Sequence, residues 1–254
     1  MDLSIVIPVK NEAPNVAPLV AEICAALDGL VAYEIVYVDD GSRDTTADEI
    51  RRLAAATRQL RLIRHARSHG QSAAIRSGVR AARAPWIATL DGDGQNDPGD
   101  IPKLWQLARA APATPALLLN GNRRRRQDSR LKRAASRVAN GVRRTLLGDD
   151  TPDTGCGLKL FPRALFLDLP YFDHMHRFLP ALVLREGGEV RSVAVNHRPR
   201  RQGVSNYGVL DRLGVGIVDL FGVMWLQRRG ARPEIVEDSA PAPAELPAPA
   251  EPAL

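Results

Sequence analysis

Cysteine is nearly absent, with two residues in 254. Cys24 falls in a stretch of helical periodicity and Cys156 in Asp153-Thr154-Gly155-Cys156-Gly157. Neither has pair spacing or a His cluster beside it, so a disulfide framework and a structural zinc site are not expected. The reducing cytosol is the default compartment. Long apolar runs are also missing. No stretch reaches about 18 uncharged apolar residues, so no transmembrane helix is expected. The opening run, Leu3 to Val9, is short and has no basic flank before it, so no signal peptide is expected. No internal repeat is evident.

Charge is present but unevenly spread. The net charge is +6, yet Ala231 to Leu254 holds one Arg against five acids, a net of −4, which leaves +10 on the remainder. A basic body suits an anionic partner: nucleotide, nucleic acid or anionic membrane. Hydrophobic content of 44% and charged content of 25% are those of a globular protein. The chain is long enough for one large domain or two small ones. The Pro-, Ala- and Glu-rich tail cannot build a core and is expected to be disordered.

Periodicity gives an alternating pattern. Leu3–Val9, Glu34–Val38, Leu60–Arg64, Trp86–Leu90 and Ala116–Leu119 read as strands. Helical patterns start at Pro14, near Ser42 or Asp44 as caps, at Gln71 and at Ile101. Alternation of this kind predicts an α/β fold with a mostly parallel sheet, with functional loops at the carboxyl ends of the strands. Lys10-Asn11-Glu12, Asp39-Asp40 and Asp91 with Asp93 all fall there. The second half is less regular. Ser129–Leu147 reads as a basic amphipathic helix, Cys156–Phe161 and Glu189–Val195 as strands. Val209–Leu226 reads as a helix that either packs on the domain or lies in a membrane interface, with Trp225, Arg228 and Arg229 at its edge.

The most informative stretch is Asp91-Gly92-Asp93-Gly94-Gln95, directly after a strand. Two carboxylates one residue apart repel unless a cation lies between them. Oxygen ligands at that spacing suit Mg²⁺ or Mn²⁺, ions that commonly carry phosphates as well. An acidic turn is the plainer alternative.

These landmarks together resemble inverting family 2 glycosyltransferases. The branch is the one similar to dolichol-phosphate mannosyltransferases and bacterial polyprenyl-phosphate sugar transferases. The matching residues are Ile7-Pro8-Val9-Lys10-Asn11-Glu12, Val38-Asp39-Asp40-Gly41-Ser42, Gly70-Gln71-Ser72, Asp91-Gly92-Asp93-Gly94-Gln95 and Gly121-Asn122-Arg123. Further on come Asp153-Thr154-Gly155-Cys156-Gly157 with Lys159, His176-Arg177-Phe178-Leu179-Pro180, His197-Arg198-Pro199-Arg200, and Gly203 with Ser205-Asn206-Tyr207-Gly208. The likeness covers about residues 1 to 226.

The resemblance implies a GT-A-like single domain over 1–229, Rossmann-like, with helices on both faces of the sheet. A nucleotide-sugar half would span about 1–120, an acceptor half about 121–208, and an interfacial helical end 209–229, before the tail at 230–254. Pro8, Val9, Asn11, Glu12, Asp39, Asp40, Gln71 and Asp91 would bind the nucleotide sugar, with Asp39 receiving the base and Asp40 ordering the loop near the ribose. Asp91, Asp93 and Gln95 would hold Mg²⁺ or Mn²⁺. Arg123 and Arg200 would act with the two acids in catalysis and, with Ser205, face the acceptor phosphate. Asp153, Arg177 and Asn206 complete the set. Lysine is frequent in relatives where Asn206 stands, and Lys10 replaces a commoner Tyr or Thr.

The implied reaction is transfer of a hexosyl group from a GDP- or UDP-linked sugar to a polyprenyl phosphate, in cell-envelope glycan assembly. A lipid phosphate is already anionic and needs no general base, whereas a hydroxyl acceptor does. Asp153 is the candidate base if one is needed, and otherwise a hydrogen-bond acceptor at a turn. Transfer to a glycan hydroxyl is the alternative. A nucleic-acid-binding module built on Arg123 to Arg144, which carries ten basic residues and one acid, is disfavoured. It has few aromatics for stacking and leaves the strand-end acids unexplained. That basic stretch fits an anionic membrane surface equally well. Relatives often continue into transmembrane helices; here the acidic tail stands in their place, so attachment is expected to be peripheral, on the cytoplasmic membrane face. A second copy of the chain or a membrane partner stays open.

Overall fold

The protein is described from a computed structural model, which covers residues 1–111, 116–123, 141–199 and 209–230, the side chains of 209–215 excepted. Seven strands form one sheet in the order β3-β2-β1-β4-β6-β5-β7. They are β1 Leu3–Val9, β2 Tyr33–Asp39, β3 Leu60–Arg64, β4 Trp86–Thr89, β5 Leu117–Arg123, β6 Lys159–Pro162 and β7 Glu189–Val195. All run parallel except β6, which lies antiparallel between β4 and β5. Mostly apolar runs make the central strands: every residue of β2 is buried, as are six of the seven in β1, and the polar Ser4 and Glu34 within them are hydrogen-bonded to each other. A strand covered on both faces needs such a run rather than an alternating one.

Two apolar layers flank the sheet. On one face Val16, Leu19, Ile23 and Leu27 of α1 (Ala13–Leu27) pack with Ile50 of α2 (Thr46–Ala54) and Leu104 of α4 (Ile101–Ala110). On the other, Ala74, Ile75 and Val79 of α3 (Gln71–Ala81) share a core with α6 (Arg163–Asp168) and α7 (Leu179–Arg185). Helices on both faces of a mostly parallel sheet are what the alternation predicts. Gly78 lets α3 approach β1, because a Cβ there would fall 3.0 Å from Val38 Cγ2 and closer still to Val6 Cγ1.

Two strands depart from the sequence reading. β5 runs on to Arg123, past the Leu119 at which the sequence reading ends it. Register with β7 continues from Leu117↔Glu189 to Arg123↔Val195, so backbone pairing carries these polar residues. β6 starts at Lys159 rather than Cys156. The preceding carbonyls are turned to other donors: Gly157 O accepts from Thr89 Oγ1, and Cys156 O from Lys159 Nζ. Of the amphipathic helix read over Ser129–Leu147, residues 141–147 are described and helical; we label them α5. The remainder, and the tail from 231 onward, lie outside the described residues.

The last helix, α8 (Val209–Arg228), has two faces. Val223 is buried, and Leu220, Met224 and Leu226 pack on the core that contains α7. Ile217, Val218, Phe221 and Trp225 are 55%, 71%, 60% and 59% exposed. No helix among the described residues is long and apolar enough to cross a membrane.

Candidate active site

The carboxyl ends of β1, β2, β4 and β5 open onto a cleft of about 560 Å³. Its floor is the Asp91–Gln95 loop after β4. Gln71, the first residue of α3, donates from Nε2 to Asp91 Oδ1 at 2.9 Å. Asn96 Oδ1 accepts from the Asp91 amide at 3.1 Å, and Asp93 Oδ1 accepts from the Gln95 amide at 3.1 Å. Gly157 passes directly over Asp91: a Cβ there would sit 2.6 Å from Oδ1 and closer to Cγ and Oδ2. Burial, and then the charge of Asp93, push the Asp91 carboxyl up to about 6, against the pull of Lys159 and Arg123. A divalent cation would relieve that cost. Among the described residues no group of three or more His, Cys, Asp or Glu gathers to enclose an ion. The oxygens that Asp91, Asp93 and Gln95 offer at this loop suit a hard cation that completes its shell with water or a ligand's phosphates, as Mg²⁺ does.

The first loop and the second are stitched together. The Asn11 amide, in a residue at φ 56, donates to Ser42 Oγ, and Asn11 Oδ1 accepts from the Arg43 amide. The Glu12 amide donates to Thr46 Oγ1 at 2.9 Å, and Asp44 Oδ1 accepts from the Thr46 amide at 3.0 Å. Asp44 is thus the helix-start acceptor, and Ser42 serves the first loop instead. Pro8, Val9, Lys10 and Glu12 line the cleft. Asp39 is fully buried beneath it, accepting from the Ser42 amide at 2.8 Å and paired with Arg64 at 3.1 Å.

Asp40 lines the cleft and organises residues 65–70. Its oxygens accept from Ser68 Oγ and from the amides of His69 and Gly70, and His65 Nδ1 lies 2.7 Å away. Burial alone would raise this carboxyl; the bonds from Ser68, His65, His69 and Gly70 outweigh it and hold the group below the ordinary carboxylate range. Asp40→Ala strands four donors and is expected to cost about 2–4 kcal/mol, read as a lowered denaturant midpoint. Because the folded pKa is depressed, this contribution is present above the unfolded value and is lost as pH falls through the acid range. The Asp40→Ala deficit should therefore shrink in acid.

The far wall is basic. Arg123, at the end of β5, gives Nε and Nη2 to the two oxygens of Asp153 at 2.6 and 2.7 Å. Lys159, the first residue of β6, is buried with Nζ donating to Thr154 O at 3.0 Å and to Cys156 O. Burial pushes its ammonium below the ordinary value. Arg177 lines the same wall. The 196–199 segment lies across the acidic loop. Asn96 and His197 form an antiparallel bridge, the Arg198 amide donates to Gln95 O, and Arg198 spans Glu22 and Asp97 at 2.7 and 2.6 Å. Arg200, Ser205 and Asn206 lie outside the described residues.

Thus Pro8, Val9, Glu12, Asp40, Gln71, Asp91, Asp93, Gln95, Arg123 and Arg177 share one cleft. Asn11 and Asp39 support it from behind. Sequence reasoning gave no role to Lys159, His65 or Ser72. For Lys159 a signal was present: one lysine inside the apolar Leu158–Phe161 stretch.

The glycosyl transferase family 2 model matches residues 4–169. The chain belongs to that family. It is a glycosyltransferase, and its sequence is similar to curated enzymes that handle polyprenyl phosphates. It is 35% identical over 240 residues to dodecaprenyl-phosphate galacturonate synthase of Rhizobium johnstonii, covering 92% of this chain and 69% of that protein. It is 34% identical over 216 residues to undecaprenyl-phosphate 4-deoxy-4-formamido-L-arabinose transferase of Shewanella sediminis, covering 84% and 64%. The chain therefore spans about two thirds of the length of these relatives. Solved structures share the fold. Glucosyl-3-phosphoglycerate synthase of Mycobacterium tuberculosis with Mn²⁺, UDP and phosphoglyceric acid aligns at TM-score 0.64 and 20% identity, over 91% of this chain and 80% of that one. A mannosyltransferase of Pyrobaculum calidifontis with GDP-Man and Mn²⁺ aligns at TM-score 0.63 and 19% identity, over 91% and 65%. The family 2 chain described here thus has the GT-A-like architecture expected of it.

Proposed function

We propose that this transferase moves a hexosyl group from a nucleotide sugar to a polyprenyl phosphate, with inversion. The observation that carries the reading is the state of Asp153. Both of its oxygens are taken by the Arg123 fork, so it is a poor general base. A hydroxyl acceptor needs such a base; a phosphate acceptor, already anionic, does not. The relatives named for dodecaprenyl and undecaprenyl phosphate support the same choice.

In this reading residues 1–120 hold the donor and 121–208 the acceptor. Pro8, Val9, Glu12 and Asp40 face the nucleoside, with Asn11 and Asp39 shaping the loops beneath. Asp91, Asp93 and Gln95 would hold Mg²⁺ or Mn²⁺, which would supply positive charge against the departing nucleoside diphosphate. Gln71 aligns Asp91. Arg123 and Lys159 add fixed positive charge on that side, already oriented before reaction. Arg177 and, from the sequence, Arg200, Ser205 and Asn206 receive the acceptor phosphate. Its oxygen attacks the anomeric carbon from the face opposite the leaving group. A panel of GDP- and UDP-sugars offered polyprenyl phosphate and simple sugar acceptors tests this. Labelled sugar on hydroxyl acceptors alone would reject it.

The exposed side of α8 supports a peripheral site on the cytoplasmic membrane face. Four large apolar residues there are followed by exposed Arg228 and Arg229, a composition suited to an anionic interface. Phe221→Ser with Trp225→Ser is expected to lower sedimentation with anionic vesicles about tenfold or more. Deleting residues 231–254 should strengthen it modestly by removing four net negative charges. Equal sedimentation of all three proteins would reject the assignment of α8.

A further inference from the structure

His176 lies in a 3₁₀ turn, Met175–Arg177, and lines the cleft. Its ring is tied to Ser72, the second residue of α3, which is 1% exposed. Nδ1 lies 2.7 Å from Ser72 Oγ, and the backbone amide of His176 donates to the same Oγ at 3.3 Å. A hydroxyl has one proton to give. If Nδ1 carried a hydrogen, Oγ would accept twice and its own proton would be left without an acceptor in a buried position. If the hydroxyl donates to Nδ1, every group is satisfied. A neutral ring with an accepting Nδ1 carries its hydrogen on Nε2. The doubly protonated ring is disfavoured by burial first, then by Arg177, Lys159 and His174, which together hold its pKa down to about 3. No described residue partners Nε2, which is left for the cleft.

We propose that His176 is a fixed neutral donor whose Nε2–H binds a phosphoryl oxygen in the cleft. The setting identifies the ligand class. Arg177 adjoins the ring in sequence and Lys159 is close enough to act on it electrostatically, so an anionic oxygen is favoured there. A neutral donor adds a directional bond without a further like charge. The turn is held from the other side too: His174 Nδ1 is 3.3 Å from Asp219 of α8. The ligand is either the acceptor phosphate or the donor diphosphate. The inference rests on the reading that the cleft binds phosphate-bearing substrates.

Two measurements test it. Long-range ¹H–¹⁵N correlation on histidine-labelled full chain should find His176 neutral, with the hydrogen on Nε2, between about pH 6 and pH 8. An imidazolium or an Nδ1–H tautomer overturns the proposal whatever the reaction is. The second compares His176→Gln, which keeps an amide donor near the Nε2 position, with His176→Asn, which keeps polar contact near Nδ1. Asn should weaken phosphate-ligand binding about tenfold to a hundredfold, while Gln stays within a few-fold of wild type. A structural role alone predicts the reverse order. A rise in KM for polyprenyl phosphate with unchanged nucleoside diphosphate affinity places the bond on the acceptor; weaker nucleoside diphosphate binding places it on the donor. Wild-type values for both in His176→Asn overturn the proposal. If polyprenyl phosphate is no acceptor at all, the proposed function fails, while titration with inorganic phosphate and nucleoside diphosphate still reads the role of His176.

Discussion

Asp91→Asn should lower turnover by about 10²–10³-fold, the scale set by removing one preorganised charge-stabilising group, and should abolish metal-dependent nucleotide affinity. The fold should survive, and in the absence of metal it should gain. The folded Asp91 carboxyl titrates near 6, well above an ordinary carboxylate. A raised folded pKa means that the folded state holds the proton more tightly. The cost is therefore nil in acid, grows as pH rises from about 4 to about 6, and is full at neutrality. Asn carries no charge and escapes it. At pH 7 the variant without metal should be more stable by about 1–3 kcal/mol, and by nothing near pH 4. Mn²⁺ should raise the melting temperature of the wild type and leave Asp91→Asn unmoved. Equal Mn²⁺ responses would remove Asp91 from the metal site.

Gly157→Ala should be as damaging without touching any charge. Its Cβ would overlap the carboxyl carbon and both oxygens of Asp91, so the carboxylate must swing away from Gln71 or the 154–157 loop must lift. Displacement by about 1 Å at a reacting site costs about 10²-fold. Nucleotide affinity in Mn²⁺ and turnover should fall together, while Asp40 and the 65–70 loop stay in place. Gly155→Ala is the control. The nearest atoms to a Cβ there are Arg123 Nη2 at 3.5 Å and Asp153 Oδ1 at 3.9 Å, ordinary contacts that should leave turnover within a few-fold. A Gly157→Ala enzyme with normal kinetics would mean that Asp91 has room to move and that its position matters little.

The first half of this chain is legible in its sequence because there local pattern and tertiary role coincide. Leu3–Val9 is apolar but for Ser4 and is a central strand; Ile101–Ala110 has helical spacing and is a helix. Each acid that follows a strand is delivered to the sheet edge by that strand. The second half is harder for a physical reason. β5 continues through polar Asn120 and Asn122 because pairing with β7 holds it, and pairing between distant strands leaves no local trace. Lys159 is visible as an oddity in an apolar stretch, but its meaning comes from carbonyls of the loop before it and from the charge of Asp91. The pairing of Ser72 with His176 joins residues far apart in the chain through one hydroxyl, which no spacing rule announces. Asp153 was readable as base or as turn acceptor, and the sequence alone offers no means to see its partner, Arg123.

The antiparallel strand β6 also orders events in time. It lies between β4 and β5, yet it leaves the ribosome after both. Until Lys159–Pro162 has emerged, β4 is the bare margin of a four-stranded parallel layer, with Thr89 waiting for Lys159. An unpaired strand margin is a template for wrong partners, and long-range pairing closes slowly. The same late segment brings Gly157 and Lys159 to Asp91. Pairing of β6 therefore covers the open margin of β4 and sets Gly157 and Lys159 against Asp91 in the same event.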